Sequence, residues 1–319
     1  MLIKICSVSA AALVVMIVIR KYREYKWGRC KSKRNMKNKT VVITGANCGL
    51  GKATALELAQ RGARVILACR DPEKAQKALI DVRSRSNNGV LKIMELDLSS
   101  FDSIKNFAKE FVRSEEQLDV LINNAGVFQC PFMTTKEGFE MQFGVNHLGH
   151  FLLTKLLLEK LKQSAPSRIV VVSSALYKTG CLNFETLNSK SDYDKKMAYK
   201  NSKLANALFT RELAKRLKGS DVSVYAISPG MVWTNLGRYI SISWWKMIAL
   251  APFALFFVRT PYQGCQTILH CAISEDVEGE SGCYYSNCKK EPYAKNALDD
   301  KVAKKLWDIS EEYCQKAKH

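Results

Sequence analysis

Residues 40–51 read Thr-Val-Val-Ile-Thr-Gly-Ala-Asn-Cys-Gly-Leu-Gly, an apolar run followed by three glycines. The apolar run predicts a buried strand, and the glycines predict a tight turn into a helix that continues to about Arg61. Glycines in such a turn let the backbone approach a pyrophosphate at the positive end of the helix. The predicted pyrophosphate contacts are therefore Gly45, Asn47, Gly49, Leu50 and Gly51.

The second predicted strand, Arg64–Cys69, is followed by Arg70, about twenty residues beyond the glycines. An acid at this place would bind the ribose 2′-hydroxyl of NAD, whereas an arginine suits the 2′-phosphate of NADP. Arg70 therefore predicts NADP as the cofactor, with NADPH preferred over NADH. Two alternatives stay open: the adjacent Asp71 contacts the ribose, or Arg70 is a solvent-exposed residue without a ligand.

Further apolar runs predict strands at 91–96, 118–122, 168–172 and 222–227, and predicted helices alternate with them. One long helix is expected from Lys136 to about Lys162, and closing helices at 261–274 and 299–314. This alternation predicts a single α/β domain over residues 39–319, a Rossmann-type doubly wound parallel sheet with helices on both faces. Ligands collect at the carboxyl ends of such strands. The further predicted cofactor contacts are Asp97, Leu98, Asn124, Ala125, Gly126, Pro229, Gly230, Val232 and Thr234.

Tyr199 and Lys203 are four residues apart in a predicted helix, which places both side chains on one face. The Lys203 ammonium favours a phenolate and is predicted to lower the pKa of Tyr199. Ser174 follows the strand at 168–172. Each signal alone is weak, since a Tyr and a Lys at this spacing occur on many surface helices and a serine can cap the next segment. No G-x-S-x-G elbow surrounds Ser174, which disfavours a hydrolase.

The N-terminal segment combines an apolar run with a basic flank. Ile5 to Ile19 carry no charge, and residues 20–39 contain ten Lys or Arg and one acid, in a chain of net charge +19. This predicts a transmembrane anchor at 1–19, a basic linker at 20–38 and a catalytic domain that faces the cytosol. A cleaved signal peptide is the alternative, although the basic residues follow the apolar core. Charge concentrated beside a span disfavours nucleic acid as a partner.

Residues 239–258 are strongly apolar, with Lys246 as their one charged side chain. They predict a lid over the ligand edge and a lipophilic substrate. Core helices and a surface helix that dips into the membrane are the alternatives. The eleven cysteines are odd in number and lack a C-x-x-C, and the chain has four histidines, so reduced thiols and no metal site are expected.

These motifs together resemble the short-chain dehydrogenases/reductases over essentially residues 39–316. The resemblance rests on motifs that occur in the family's order: Thr44-Gly45-x-x-x-Gly49-x-Gly51, Asn123-Asn124-Ala125-Gly126, Ser174, Tyr199-x-x-x-Lys203 and Pro229-Gly230. The sequences at 67–71, 142–151 and 202–206, and the 25-residue separation of Ser174 from Tyr199, are similar to the membrane-anchored retinol dehydrogenase branch. Cys48 and Ser228 depart from the residues frequent in the family, which leaves fine cofactor geometry and substrate preference open.

The resemblance implies a role for each of four residues. Tyr199 would exchange a proton with the substrate oxygen, and Lys203 would lower its pKa and hold the nicotinamide ribose. Ser174 would position the substrate oxygen, and Asn146 would hold a water that relays protons. His147 and His150, on the same predicted helix as Asn146, are interpreted as packing or surface residues and not as part of the chemistry.

The implied function is NADP(H)-dependent interconversion of retinal and retinol at the endoplasmic reticulum membrane. A reductase of fatty aldehydes or steroids, or a membrane-surface binding protein without turnover, is the alternative. The oligomeric state is left open, with a homodimer as one alternative.

Overall fold

The computed structural model describes residues 15–240, 243–245, 254 and 256–316. In this part of the chain, eight strands form one sheet in the spatial order β3-β2-β1-β4-β5-β6-β7-β8. The strands are β1 Thr40–Thr44, β2 Arg64–Cys69, β3 Val90–Glu95, β4 Val120–Asn123, β5 Ser167–Val172, β6 Val222–Ser228, β7 Cys283–Ser286 and β8 Lys289–Glu291. All neighbours are parallel except β7 and β8, which are antiparallel. The predicted Rossmann-type α/β fold is confirmed, and β7 and β8 extend the sheet beyond the six predicted strands.

Helices cover both faces of the sheet. They are α1 Gly49–Gln60, α2 Pro72–Arg85, α3 Phe101–Ser114, α4 Gly149–Gln163, α5 Lys195–Arg216, α6 Pro261–Gly264, α7 Gln266–Ile273 and α8 Asp300–Lys316. The side chains of successive residues in one strand pack into the cores on opposite faces of the sheet, as β1 illustrates. Val41 and Ile43 pack with α1, α2 and α7, whereas Val42 packs with α3, α4 and α5. Because both faces are buried, each central strand is apolar throughout, which is why the apolar runs predicted the strands so closely.

The helix predicted to begin at Lys136 begins later, so that prediction is wrong. Gly138 takes a φ of +85°, which ends any helical path there. The Glu140 carboxylate then accepts hydrogen bonds from the backbone N–H groups of Gln142 and Phe143, at 2.9 and 2.7 Å. One α-helical turn at Met141–Phe143 and a π-helical turn at Gly144–Leu148 lead into α4. Side-chain capping by Glu140 therefore sets the start of this helix.

Residues 15–26 are helical and lie against the last residues of the predicted lid. The Arg20 guanidinium donates to the Val258 carbonyl at 2.9 Å, and the Arg23 guanidinium lies 4.2 Å from the centre of the Phe257 ring. Within the described residues, no helix has the length and apolar character needed to cross a membrane. The predicted anchor falls outside the described residues at 1–14, and the predicted lid does so at 241–242, 246–253 and 255.

Candidate active site

The glycine turn between β1 and α1 forms a concave backbone surface. Gly45 and Gly49 have φ values of +66° and +54°, and a Cβ on Gly51 would lie 2.4 Å from the Gly45 carbonyl oxygen. Cys48 precedes α1 and its side chain makes no capping hydrogen bond, and the first turn of α1 carries no acid. The N–H groups of that turn are therefore free to bind an anion, and the backbone fits a pyrophosphate.

The loop after β4 is docked on this turn through the Thr44 side chain. The backbone N–H groups of Asn124 and Ala125 both donate to Thr44 Oγ1, at 2.8 and 2.9 Å. The Asn124 side-chain amide donates to the Thr44 carbonyl at 2.7 Å. A Cβ on Gly126 would lie 3.2 Å from Asn146 Oδ1, so this loop also reaches the helix that carries Asn146. Sequence analysis placed Thr44 at a strand end and missed its role as the link between the two loops.

The segment after β6 closes the other side of the turn. It pairs with Arg259, whose N–H donates to the Met231 carbonyl at 2.8 Å and whose carbonyl accepts from Trp233 N–H at 2.9 Å. Gly230, at φ +80°, lies against the Arg259 guanidinium. Thr234 then lies beside Gly49, where an added Cβ would be 3.0 Å from Thr234 Cγ2. Gly264 lies against the same segment, because a Cβ added to it would be 2.5 Å from Val232 Cγ2 and 2.7 Å from Leu50 Cδ2. The structure thus brings these predicted contacts to one edge.

The two charged residues that follow β2 have different surroundings. The Asp71 carboxylate caps α2 by accepting from Lys74 N–H at 3.0 Å and pairs with the Lys74 ammonium at 2.7 Å. These bonds lower the pKa of Asp71. Arg70 is exposed and has neither a hydrogen bond nor an ion pair with any of the described residues. Asp97, at the end of β3, accepts from both the N–H and the hydroxyl of Ser99, at 2.9 and 2.7 Å. Among these groups, the Arg70 guanidinium is the one left available for an anionic ligand.

Tyr199 and Lys203 lie together on the buried face of α5. The Tyr199 ring is 5% exposed and meets the Phe128 ring edge-on, with centroids 4.5 Å apart. Lys203 Nζ lies 5.6 Å from the Tyr199 ring centroid and donates to the Val172 carbonyl at 2.9 Å. Phe128 follows the loop after β4 and was missed by sequence analysis, because nothing in its local pattern predicts that contact.

The electrostatics of this pair differ from the prediction. Burial raises the pKa of Tyr199 to about 12, and a hydrogen bond with the Ser174 side chain opposes that rise. Burial also lowers the pKa of Lys203 to about 8. The structure therefore does not favour the predicted lowering of the Tyr199 pKa. The free-energy cost of removing the phenolate from water exceeds the stabilisation that the neighbouring groups provide. At neutral pH the phenol keeps its proton, and the amine is mostly charged.

Asn146 lies in the π-helical turn, and its side chain makes three hydrogen bonds. Its amide nitrogen donates to the Val127 carbonyl and to Ser202 Oγ, both at 2.9 Å, and its amide oxygen accepts from Val127 N–H at 2.7 Å. Ser202 Oγ in turn donates to the Tyr199 carbonyl at 2.8 Å. Asn146 thus ties the loop after β4 to the helix that carries Tyr199, and Ser202 is a further link that sequence analysis missed.

Comparisons with known proteins identify the family. A family model described as short chain dehydrogenase matches residues 39–242. The chain belongs to that family. It is an oxidoreductase closely related to the retinol dehydrogenases. Mouse "Retinol dehydrogenase 14" is 55% identical over 289 residues, covering 86% of each chain. Human "Retinol dehydrogenase 11" is 50% identical over 283 residues, covering 89% of this chain and 88% of the relative.

The family fold extends to solved structures. The crystal structure of an uncharacterized protein from Mycobacterium paratuberculosis superimposes with a TM-score of 0.69 at 36% identity. The match covers 88% of this chain and 94% of that protein. The resemblance of the sequence to the short-chain dehydrogenases/reductases is therefore confirmed.

Proposed function

We propose that this chain is an NADP(H)-dependent oxidoreductase that interconverts retinal and retinol. The observation that carries the proposal is the meeting of Ser174, Tyr199 and Lys203 at the carboxyl edge of the sheet, in a chain about half identical to retinol dehydrogenases. When bound, the nicotinamide cofactor supplies or accepts the hydride. The protein's own residues then have to orient the carbonyl and move one proton.

The protonation states favour reduction of a carbonyl at neutral pH. With a pKa raised to about 12, Tyr199 holds the proton that a carbonyl oxygen gains on reduction. Lys203, with a pKa near 8, supplies a positive charge next to the phenolate left behind. Ser174 donates to the same oxygen and fixes its distance. In the oxidation direction, Tyr199 takes the alcohol proton by the same path reversed.

The proton that Tyr199 gives up has to be replaced from solvent. Because the Asn146 side chain is engaged with Val127 and Ser202 through three hydrogen bonds, we assign the relay water near Lys203 to its main-chain carbonyl. A π-helical turn alters the regular backbone bonding, and such turns occur frequently at functional sites. Asn146 therefore acts by its backbone, and its side chain holds that backbone in place.

Arg70 supports NADPH over NADH. Its guanidinium is exposed beyond β2, at the place where the 2′-phosphate binds in this fold, and the neighbouring Asp71 is committed to Lys74. A planar, permanently charged guanidinium suits a phosphate better than a ribose hydroxyl.

Exposed aromatic side chains in the chain after β6 support a lipophilic substrate. Trp233, Trp244 and Trp245 are 69%, 74% and 56% exposed. Tryptophan is enriched where a protein meets the membrane interface. With the apolar N-terminal run and its basic flank, these side chains support an anchor in the endoplasmic reticulum membrane and a catalytic domain on the cytosolic side.

The test is an initial-rate panel on the purified full chain in detergent. Retinal, a long-chain aldehyde and a steroid ketone are each offered with NADPH and with NADH. We expect retinal with NADPH to give the highest kcat/KM. A preference for the aldehyde or the steroid would refute the retinoid assignment. Binding of NADPH without turnover of any carbonyl would refute the enzyme.

Topology has a separate test, since Asn38-Lys39-Thr40 is a glycosylation sequon. We expect no glycan on Asn38 in secretory-competent cells, and a glycan introduced on an engineered N-terminal sequon ahead of the apolar run. A glycan on Asn38 itself would refute the cytosolic orientation.

A further inference from the structure

His150 lies between the two halves of the active site. It is 2% exposed, at the start of α4. Its Nε2 lies 2.9 Å from Thr44 Oγ1, and its Nδ1 lies 3.1 Å from the Asn146 carbonyl oxygen. One ring nitrogen thus reaches the hydroxyl that docks the cofactor loops, and the other reaches the carbonyl proposed to hold the relay water.

The Thr44 hydroxyl determines which nitrogen carries the proton. Both lone pairs of Oγ1 are used by the N–H groups of Asn124 and Ala125. Its one hydrogen therefore has to point outward, and His150 Nε2 at 2.9 Å is nearer than the Ile122 carbonyl at 3.4 Å. Nε2 then accepts, and in a neutral ring the proton is on Nδ1, where it donates to the Asn146 carbonyl.

The neutral ring is also what burial favours. Desolvation, together with the nearby Lys203 charge, lowers the pKa of His150 to about 4, although the bond to Asn146 opposes this. A charged ring would turn an Nε2–H toward a hydroxyl oxygen that already accepts two hydrogen bonds. The arrangement is therefore a fixed chain, from the loop N–H groups through Thr44 and His150 to Asn146.

We propose that His150 is a positioning residue that joins the cofactor-binding loops to the proton-relay carbonyl. Its Nε2 orients the Thr44 hydroxyl and thereby the loop at Asn124–Ala125, which affects cofactor affinity. Its Nδ1–H occupies one side of the Asn146 carbonyl and directs the other side toward the relay water, which affects proton transfer. The relay half of this inference rests on the proposed function, and the cofactor half does not.

Two substitutions separate the halves, because each amide keeps one ring nitrogen. Asparagine places its amide nitrogen where Nδ1 was, and glutamine places a polar atom where Nε2 was. We expect His150→Asn to weaken NADPH binding about 10-fold while kcat stays within about 3-fold of wild type. His150→Gln should keep the NADPH Kd within about 3-fold and lower kcat about 10-fold or more.

Thr44 offers an independent check of the cofactor half. Thr44→Val removes the hydroxyl and should weaken NADPH binding as His150→Asn does, whereas Thr44→Ser keeps the hydroxyl and should restore affinity. The matched control is His147→Gln. His147 is also buried in this turn, but its Nε2 lies 2.9 Å from Ser310 Oγ on α8, away from the site. Its substitution should lower the unfolding midpoint without separating Kd from kcat.

The measurements are NADPH Kd by fluorescence titration, single-turnover rates and thermal unfolding, all on the full chain in detergent. Opposite effects of the two His150 variants on Kd and kcat would support the inference. Parallel losses that match those of His147→Gln, or wild-type behaviour of both variants, would overturn it. If the wild type reduced no carbonyl, the proposed function would fail, and the NADPH titrations of the His150 and Thr44 variants would still decide the cofactor half.

Discussion

Replacing Tyr199 by phenylalanine removes the proposed proton donor and little else. The ring stays against Phe128, so packing is kept, and one hydrogen bond with Ser174 is lost. A single hydrogen bond stabilises the fold by about 1 kcal/mol net. Loss of general acid catalysis lowers kcat by about 10²–10⁴-fold, which is about 3–5 kcal/mol in the activation free energy. Activity should therefore fall far more than stability.

Tyr193 provides a matched control six residues earlier in the chain. Its hydroxyl donates to the Cys130 carbonyl at 2.8 Å and accepts from the Gln142 amide at 2.9 Å. Tyr193→Phe leaves both partners short of a bond, at a cost of about 1–3 kcal/mol in the free energy of unfolding. Because this tyrosine does not touch Ser174 or Lys203, kcat should stay within about 3-fold of wild type.

The assay combines NADPH oxidation with retinal, NADPH Kd by fluorescence and denaturant unfolding for the three proteins. We expect Tyr199→Phe to bind NADPH, to unfold near the wild-type midpoint and to lose activity. The reasoning would be refuted by Tyr199→Phe retaining more than about a tenth of wild-type kcat, since the proton would then come from another group.

Three further predictions follow from the charged groups. Burial lowers the pKa of Lys203 to about 8, so kcat for reduction should fall as the pH rises above 8. A kcat that stays unchanged up to pH 9.5 would contradict the role of the ammonium. Arg70→Ala should raise the KM for NADPH about 10-fold or more and leave that for NADH nearly unchanged, and equal effects on both would refute 2′-phosphate recognition. Burial lowers the pKa of His150 to about 4 and that of His147 to about 3, from an ordinary value of 6.5. The unfolded chain therefore binds protons around and below pH 6.5 that the fold excludes, and the free energy of unfolding should fall by about 1.5 kcal/mol per histidine between pH 6.5 and 5. Denaturant titrations in which His147→Gln loses as much as wild type would contradict this.

The strands were predictable because of how this sheet is buried. In β1, residues on both faces are fully buried, so the run from Val41 to Ile43 is apolar without alternation. β8 escaped prediction because its three residues include two exposed lysines and it is held by β7. The start of the helix before Asn146 escaped prediction because it depends on the Glu140 carboxylate accepting hydrogen bonds from the N–H groups of the second and third residues after it.

Sequence alone predicted the residues to which the proposed chemistry is assigned and determined roughly where the chain turns. The glycine turn, Arg70 and the spacing of Tyr199 and Lys203 are local features, and local features survive in a one-dimensional pattern. The direction of the Tyr199 pKa and the two contacts of His150 were decided by tertiary structure alone. Burial sets the cost of a charge, and partners 106 residues apart meet only after folding, so neither can be inferred from spacing along the chain.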